Sequence, residues 1–304
     1  MVANRSELDS DLRHEMGGTG KFRQGRSSGK ANAAIPMIKD KCGVFCDPIC
    51  REQSDAGSLW EKLLWGPVNL IQALSLALVC ILLIPPALLV RLLTRRAEPS
   101  LWMARHLWAP IIIGGGLSRL RVSGLENVNP SRPTLVVCNH QSYADIPILY
   151  RAFPLPLHFI GKSELSSIPL IGAFGKAVGT IFVDRSTRRR ATAGISELSD
   201  ALARGEWTVS FPEGTRSHDG KVAQFSAGTF ASAITVGADI LPICIVGSNR
   251  MLRRGGFRVR PSSMEVRIGE PVSTNGLSAE DRQSLATSSR TAVQNLLQRH
   301  STRP

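Results

Sequence analysis

The chain has 304 residues, 43% hydrophobic and 20% charged, which is enough apolar content for one or two packed domains. Its 37 Lys and Arg against 24 Asp and Glu leave a formal charge of +13, a balance that attracts anions such as nucleic acid, anionic lipid headgroups or phosphorylated substrates. Aromatics are only 6% and no RNA-binding or zinc-finger signature is present, so charge alone does not support nucleic-acid recognition, and a nucleic-acid binder is the weakest option. Six cysteines without a paired framework argue against a secreted disulfide scaffold.

Residues 1–58 are polar, of mixed charge and rich in Gly, Ser, Lys and Arg, the composition of a disordered tail. Gly17-Gly18-Thr19-Gly20-Lys21 lacks the spacing of a phosphate loop, and Gly161-Lys162-Ser163 fails the same test. No apolar run follows the first basic residues, so no signal peptide is expected there; a targeting role and a start codon placed too far upstream both stay open. Cys42, Cys46 and Cys50 are spaced four apart, but Pro48 interrupts a helix and no fourth ligand is near, so no metal site is expected.

Residues 59–120 form the membrane segment. Ala73 to Val90 carries no charge and is bracketed by Trp60 and Trp65 on one side and by Arg91, Arg95 and Arg96 on the other. Length and flanks fit a spanning helix at the short end of the range, and the arginines place the following domain on the cytoplasmic side. Pro85-Pro86 is expected to kink the run, which leaves a re-entrant hairpin or two interfacial helices as alternatives. Leu101, Trp102, Arg105, Leu107 and Trp108 then suggest an amphipathic segment on the membrane surface. A break follows at Gly114-Gly115-Gly116.

Residues 121–304 alternate strand and helix signals, which predicts an α/β domain, a mixed sheet flanked by helices. Strands are expected at 120–122, 134–138, 158–160, 180–183, 207–211, 240–246 and 264–268. Helices are expected from Asp145, from Ile168-Pro169, over 188–204 with Ile195, Leu198 and Leu202 inward, over 227–236, and over 278–299 with Ser278 and Asp281 as a capping box.

Two stretches at strand ends carry chemistry. Asn139-His140-Gln141-Ser142-Tyr143-Ala144-Asp145 places a carboxylate five residues after an imidazole. A histidine with a carboxylate partner can take a proton from a hydroxyl. Taken alone, the pair reads rather as a satisfied histidine near a helix start, with Asp145 in the first turn. Phe211-Pro212-Glu213-Gly214-Thr215-Arg216 bends the chain after a second strand and presents Arg216, a forked donor suited to phosphate. No Gly-x-Ser-x-Gly elbow is present to supply a serine nucleophile.

Together these stretches resemble the glycerolipid acyltransferase family, and within it the lysophosphatidic acid acyltransferases, known for both blocks in this order. Gly179 to Arg185 resembles the family's middle motif, Leu241-Pro242-Ile243 its last, and Lys162 a further family position; the likeness covers roughly 122–271. Leu241 in place of the commoner Val is a small departure, Tyr143 occupies a variable position, and the long polar N-terminus is unusual.

The resemblance implies that His140 is the base and Asp145 its orienting partner. It also implies that Arg216, with Lys162 and Arg185, meets the substrate phosphate beside Glu213, Gly214 and Thr215. Lys162 and Arg185 are equally readable as solvated or ion-paired charges. The implied reaction moves an acyl group from acyl-CoA or acyl-carrier protein to the sn-2 hydroxyl of 1-acylglycerol-3-phosphate, with no cofactor and no metal, at a membrane. The alternatives are another lyso-lipid acceptor, such as lyso-ornithine lipid, or a non-catalytic protein that binds anionic lipid.

Overall fold

The computed structural model describes residues 59–299 apart from 185 and 256–258. The N-terminal tail with Cys42, Cys46 and Cys50, and Arg185, lie outside the described residues.

The first element, α1 (Leu59–Thr94), runs continuously through Pro67, Pro85 and Pro86. Gly66–Thr94 is long and apolar enough to cross a membrane. Leu70, Ile71, Leu74, Leu78, Leu82, Leu89, Leu92 and Leu93 along it are exposed. The helix is nevertheless tied to the rest of the unit. Asn69 Oδ1 accepts from the Val259 N–H at 3.1 Å, the Ala87 carbonyl accepts from buried Ser100 Oγ at 2.7 Å, and Arg91 Nε donates to the Ala177 carbonyl at 2.7 Å.

Two short helices follow, α2 (Glu98–Met103) and α3 (Ala109–Gly115), joined by a π-helical turn over Ala104–Trp108. The expected amphipathic segment is therefore broken in three. The glycine break begins later than its sequence suggests, because Gly114 and Gly115 still belong to α3 and Gly116 caps it.

Seven strands among the described residues then build one sheet in the order β1-β7-β6-β2-β5-β3-β4. They are β1 (Arg119–Ser123), β2 (Thr134–Cys138), β3 (His158–Lys162), β4 (Ile181–Val183), β5 (Thr208–Ser210), β6 (Asp239–Val246) and β7 (Ser263–Ile268). Neighbours run parallel except β6 and β7, so the sheet is mixed, as the sequence predicts. The helices among them are α4 (Asp145–Ala152), α5 (Ile171–Ala177), α6 (Arg188–Ala203), α7 (Gly228–Val236), α8 (Ser248–Met251) and α9 (Arg282–Gln298).

Alternation along the central strands divides the core in two. Val136 and Cys138 of β2, with Leu241, Ile243 and Ile245 of β6, face Ala109, Ile113, Ile148 and Leu149. Leu135 and Val137, with Ile240 and Cys244, face Leu198, Leu202, Phe230, Ala233, Leu285 and Val293. Both central strands are covered on two sides, which is why they read as unbroken apolar runs.

Two helix starts repay attention. The capping box at Ser278 is present: Asp281 Oδ2 accepts from the Ser278 N–H at 2.8 Å, and a 3₁₀ turn precedes α9. The helix expected from Ile168 begins instead at Ile171. Pro169 disfavours helical backbone at the residue before it, and Ile168 is extended at ψ 123°. The chain then turns tightly at Leu170 (φ 61°), with the Ile171 N–H donating to the Pro169 carbonyl at 2.7 Å.

The edge of the sheet after β2 depends on one side-chain amide. Asn139, the residue after β2, accepts from the Ile245 N–H at 2.8 Å and donates to the Ile245 carbonyl at 2.9 Å. Its side chain thus continues the β2–β6 pairing where the main chain turns away. Asn139→Leu orphans both buried groups, at roughly 1–3 kcal/mol each. Denaturant unfolding of the detergent-solubilised protein is expected to register that loss, and a change within about 0.5 kcal/mol would show the amide to be dispensable.

Candidate active site

Strands β2, β5, β3 and β4 are parallel, so the segments that follow them emerge at one edge of the sheet. The pairing of Val137 with Ser210 sets the block after β2 level with the block after β5. The His140 N–H donates to Glu213 Oε1 at 2.9 Å, and the His140 carbonyl accepts from the Ser217 N–H at 2.7 Å. Residues more than seventy positions apart are thereby held side by side.

The His140 imidazole stands between two fixed partners. Its Nδ1 donates to Asp145 Oδ2 at 2.7 Å, and its ring stacks on Phe211 with centroids 4.1 Å apart. Asp145 is fully buried as the first residue of α4, where the helix N-terminus favours a negative charge. Its Oδ2 also accepts from the Gln141 and Ser142 N–H groups at 2.8 and 3.0 Å. An oxygen that accepts from two amides acts as carboxylate, so the shared proton belongs to Nδ1 and the lone pair of neutral imidazole belongs to Nε2. Asp145 Oδ1 is buried without a partner among the described residues. The imidazole itself keeps 17% of its side-chain surface exposed, enough to meet a substrate.

The second block forms the turn that its Pro-Glu-Gly predicts. The Gly214 N–H donates to the Phe211 carbonyl at 3.0 Å, with Pro212 at the second position. Gly214 has φ 72°, a conformation that glycine adopts without strain. Thr215 is exposed. Arg216 follows, its guanidinium carbon 3.7 Å from the centre of the Tyr143 ring. The structure thus gathers His140, Asp145, Glu213, Gly214 and Arg216 at one edge.

Lys162 ends β3, the strand beside β5, and lies on the same edge. It is exposed and stands 3.8 Å from exposed Glu164, with no contact to His140 or Arg216 among the described residues. Arg185 lies outside the described residues. Among the described residues no group of three His, Cys, Asp or Glu could hold a metal ion.

Three contributors went unread in the sequence: Phe211 under the imidazole, Tyr143 under Arg216, and the segment after β6. In that segment the Leu252 carbonyl accepts from Ser142 Oγ at 2.7 Å, and Arg254 Nη1 donates to the Arg216 carbonyl. Only the proximity of Arg253-Arg254 to the last motif could have hinted at the third.

Glu213 locks the two blocks, since its Oε2 accepts from the Ala223 N–H at 3.0 Å while Oε1 serves His140. Burial pushes its carboxyl above the ordinary carboxylate range, against the two amide bonds that pull it down. A raised carboxyl contributes stability that is complete below its unfolded pKa and is lost as pH rises through the folded value. Glu213→Gln cannot ionise. The variant is therefore expected to gain on the wild type as pH rises through that acid window. Thermal unfolding of both proteins across pH checks this, and a pH-independent gap would contradict it.

Comparison with known proteins agrees with this geometry. Residues 119–246 match the Acyltransferase family. The chain is 32% identical over 186 residues to 1-acyl-sn-glycerol-3-phosphate acyltransferase alpha of Mus musculus, covering 60% of this chain and 65% of that one. It is 31% identical over 176 residues to a 1-acyl-sn-glycerol-3-phosphate acyltransferase of Pseudomonas aeruginosa, covering 58% and 66%. The match thus spans about half to two thirds of the length of such curated relatives. The crystal structure of the 1-acyl-sn-glycerophosphate acyltransferase of Thermotoga maritima superposes with a TM-score of 0.64 at 29% identity, covering 77% of this chain and 98% of that one. With the His140–Asp145 pair and the Glu213–Arg216 turn on one edge of a mixed sheet, residues 119–246 carry a domain that matches the Acyltransferase family in sequence and that crystal structure in fold.

Proposed function

We propose that this protein is an O-acyltransferase that moves a fatty acyl group from a thioester, acyl-CoA or acyl-carrier protein, to the sn-2 hydroxyl of 1-acylglycerol-3-phosphate, forming phosphatidic acid. The observation that carries the reading is the 2.7 Å bond between His140 Nδ1 and buried Asp145, with Arg216 brought beside it by the pairing of β2 and β5. The relatives named for this acceptor support it as the substrate.

In this reading, His140 Nε2 takes the proton of the acceptor hydroxyl as its oxygen attacks the thioester carbonyl. Asp145 holds the ring and stabilises the imidazolium. The tetrahedral intermediate collapses by breaking the C–S bond, and the imidazolium returns its proton to the departing thiolate. A thioester is already activated, so no covalent enzyme intermediate and no cofactor is required. Arg216 binds the acceptor phosphate, and Lys162 on the neighbouring strand and Arg185 are further phosphate candidates.

The exposed apolar faces of α1 keep the protein at the bilayer where the lyso-lipid acceptor and the product reside. Arg91, Arg95 and Arg96 at its end favour the anionic cytoplasmic leaflet.

The first test is acyl transfer by the detergent-solubilised protein, with acyl-CoA or acyl-carrier protein and a panel of lyso-lipids. Transfer to 1-acylglycerol-3-phosphate is expected. His140→Ala and Asp145→Asn are each expected to lower kcat by roughly 10²–10⁴-fold. Arg216→Met is expected to raise the acceptor KM by roughly 10–100-fold, the worth of a charged hydrogen bond. Transfer only to an acceptor without phosphate, such as lyso-ornithine lipid, would move the substrate. Full activity in His140→Ala would remove the assigned base.

A further inference from the structure

Arg216 is held by two residues that no motif of its own block contains. Its guanidinium lies over the ring of Tyr143, which sits between His140 and Asp145 in the chain and is 59% exposed. Its carbonyl accepts from Arg254 Nη1, delivered by the segment after β6. That segment is itself fastened to the His140 block, because Ser142 Oγ donates to the Leu252 carbonyl at 2.7 Å. One arginine therefore has its side chain fixed from β2's block and its main chain fixed from β6's.

The chemistry of the two contacts is complementary. A planar guanidinium stacked on a ring uses its face, and its five N–H donors remain in the plane, directed outward. Stacking thus sets the plane of the donor fork without consuming a donor. No carboxylate pairs with Arg216 among the described residues, so the fork is available to an anion. Arg254 spends one donor on the Arg216 carbonyl and brings a second positive charge to the same loop. Two arginines on one loop suit a phosphate monoester better than a singly charged or zwitterionic headgroup.

We infer that Tyr143 and Arg254 are positioning residues for the acceptor phosphate: Tyr143 sets the orientation of the Arg216 guanidinium, and Arg254 pins the Arg216 loop and doubles the local charge. The inference rests on the acyl-transfer reading above. It also makes residue 143 a determinant of headgroup preference that acts from inside the His140–Asp145 block.

Steady-state kinetics with 1-acylglycerol-3-phosphate and acyl-CoA test it. Tyr143→Leu is expected to raise the acceptor KM about two- to five-fold, the range for an exposed cation–π contact, with the donor KM unmoved. Tyr143→Phe keeps the ring and is expected to restore the acceptor KM. Arg254→Met is expected to raise the acceptor KM as well. In an Arg216→Met background, Tyr143→Leu is expected to add nothing, because its effect passes through Arg216. Equal acceptor KM values for wild type and Tyr143→Leu would overturn the inference while leaving the acyl-transfer reading intact. So would a Tyr143→Leu penalty that persists in the Arg216→Met background. Absence of transfer by the wild type would overturn both.

Discussion

A buried carboxylate has to be paired, and Asp145 is where this constraint falls hardest. Its side chain is fully buried, and one oxygen takes the His140 ring and two main-chain amides. Leaving such a charge without partners would cost several kcal/mol. The loop from His140 to Ala144 is therefore obliged to fold back over the N-terminus of α4, and the imidazole cannot swing away without abandoning the anion. The same arrangement that satisfies the charge fixes the tautomer and aims Nε2 outward. In the proposed reaction, structural need and chemical use coincide in that one bond.

The rest of the edge is assembled around that bond by sheet register. β5 and β6 flank β2, and each is stitched to the His140 block by a contact that resembles a further rung. Glu213 takes the His140 amide from one side, and the Asn139 side chain takes both main-chain groups of Ile245 from the other. A one-residue slip in either pairing would move every side chain of the strand to the opposite face of the sheet and separate His140 from Arg216. The apolar faces that prevent such slippage are the two halves of the core, on opposite sides of the sheet. Distant packing thus maintains the placement of a few polar atoms.

The apolar helix α1 is part of this unit rather than an appendage. Asn69 reaches Val259 in the connection after β6, and Arg91 reaches Ala177 at the end of α5. Exposed leucines along α1 and Arg216 at the sheet edge give this unit an apolar surface and a cationic one.

Much of this was legible along the chain. Strand positions followed from short apolar runs, the mixed α/β class from their alternation with helical spacing, and the Phe211–Gly214 turn from its proline and glycine. These are local properties, set by backbone sterics and side-chain period, and neighbouring residues carry them. Local rules misplaced the start of α5, where proline's steric effect outweighed the apolar pattern, and they left open a hairpin or two helices where α1 is one continuous helix. The order of the strands, the stack of Tyr143 under Arg216 and the grip of Arg254 on the Arg216 loop were not legible. Each joins segments tens of residues apart, and no local preference encodes a contact whose partner arrives from elsewhere in the chain. By itself the sequence determined which residues could do the chemistry, because residue type carries charge, donors and pKa class. Only the tertiary structure decided which of them meet, because that depends on how two buried faces of one sheet close around β2.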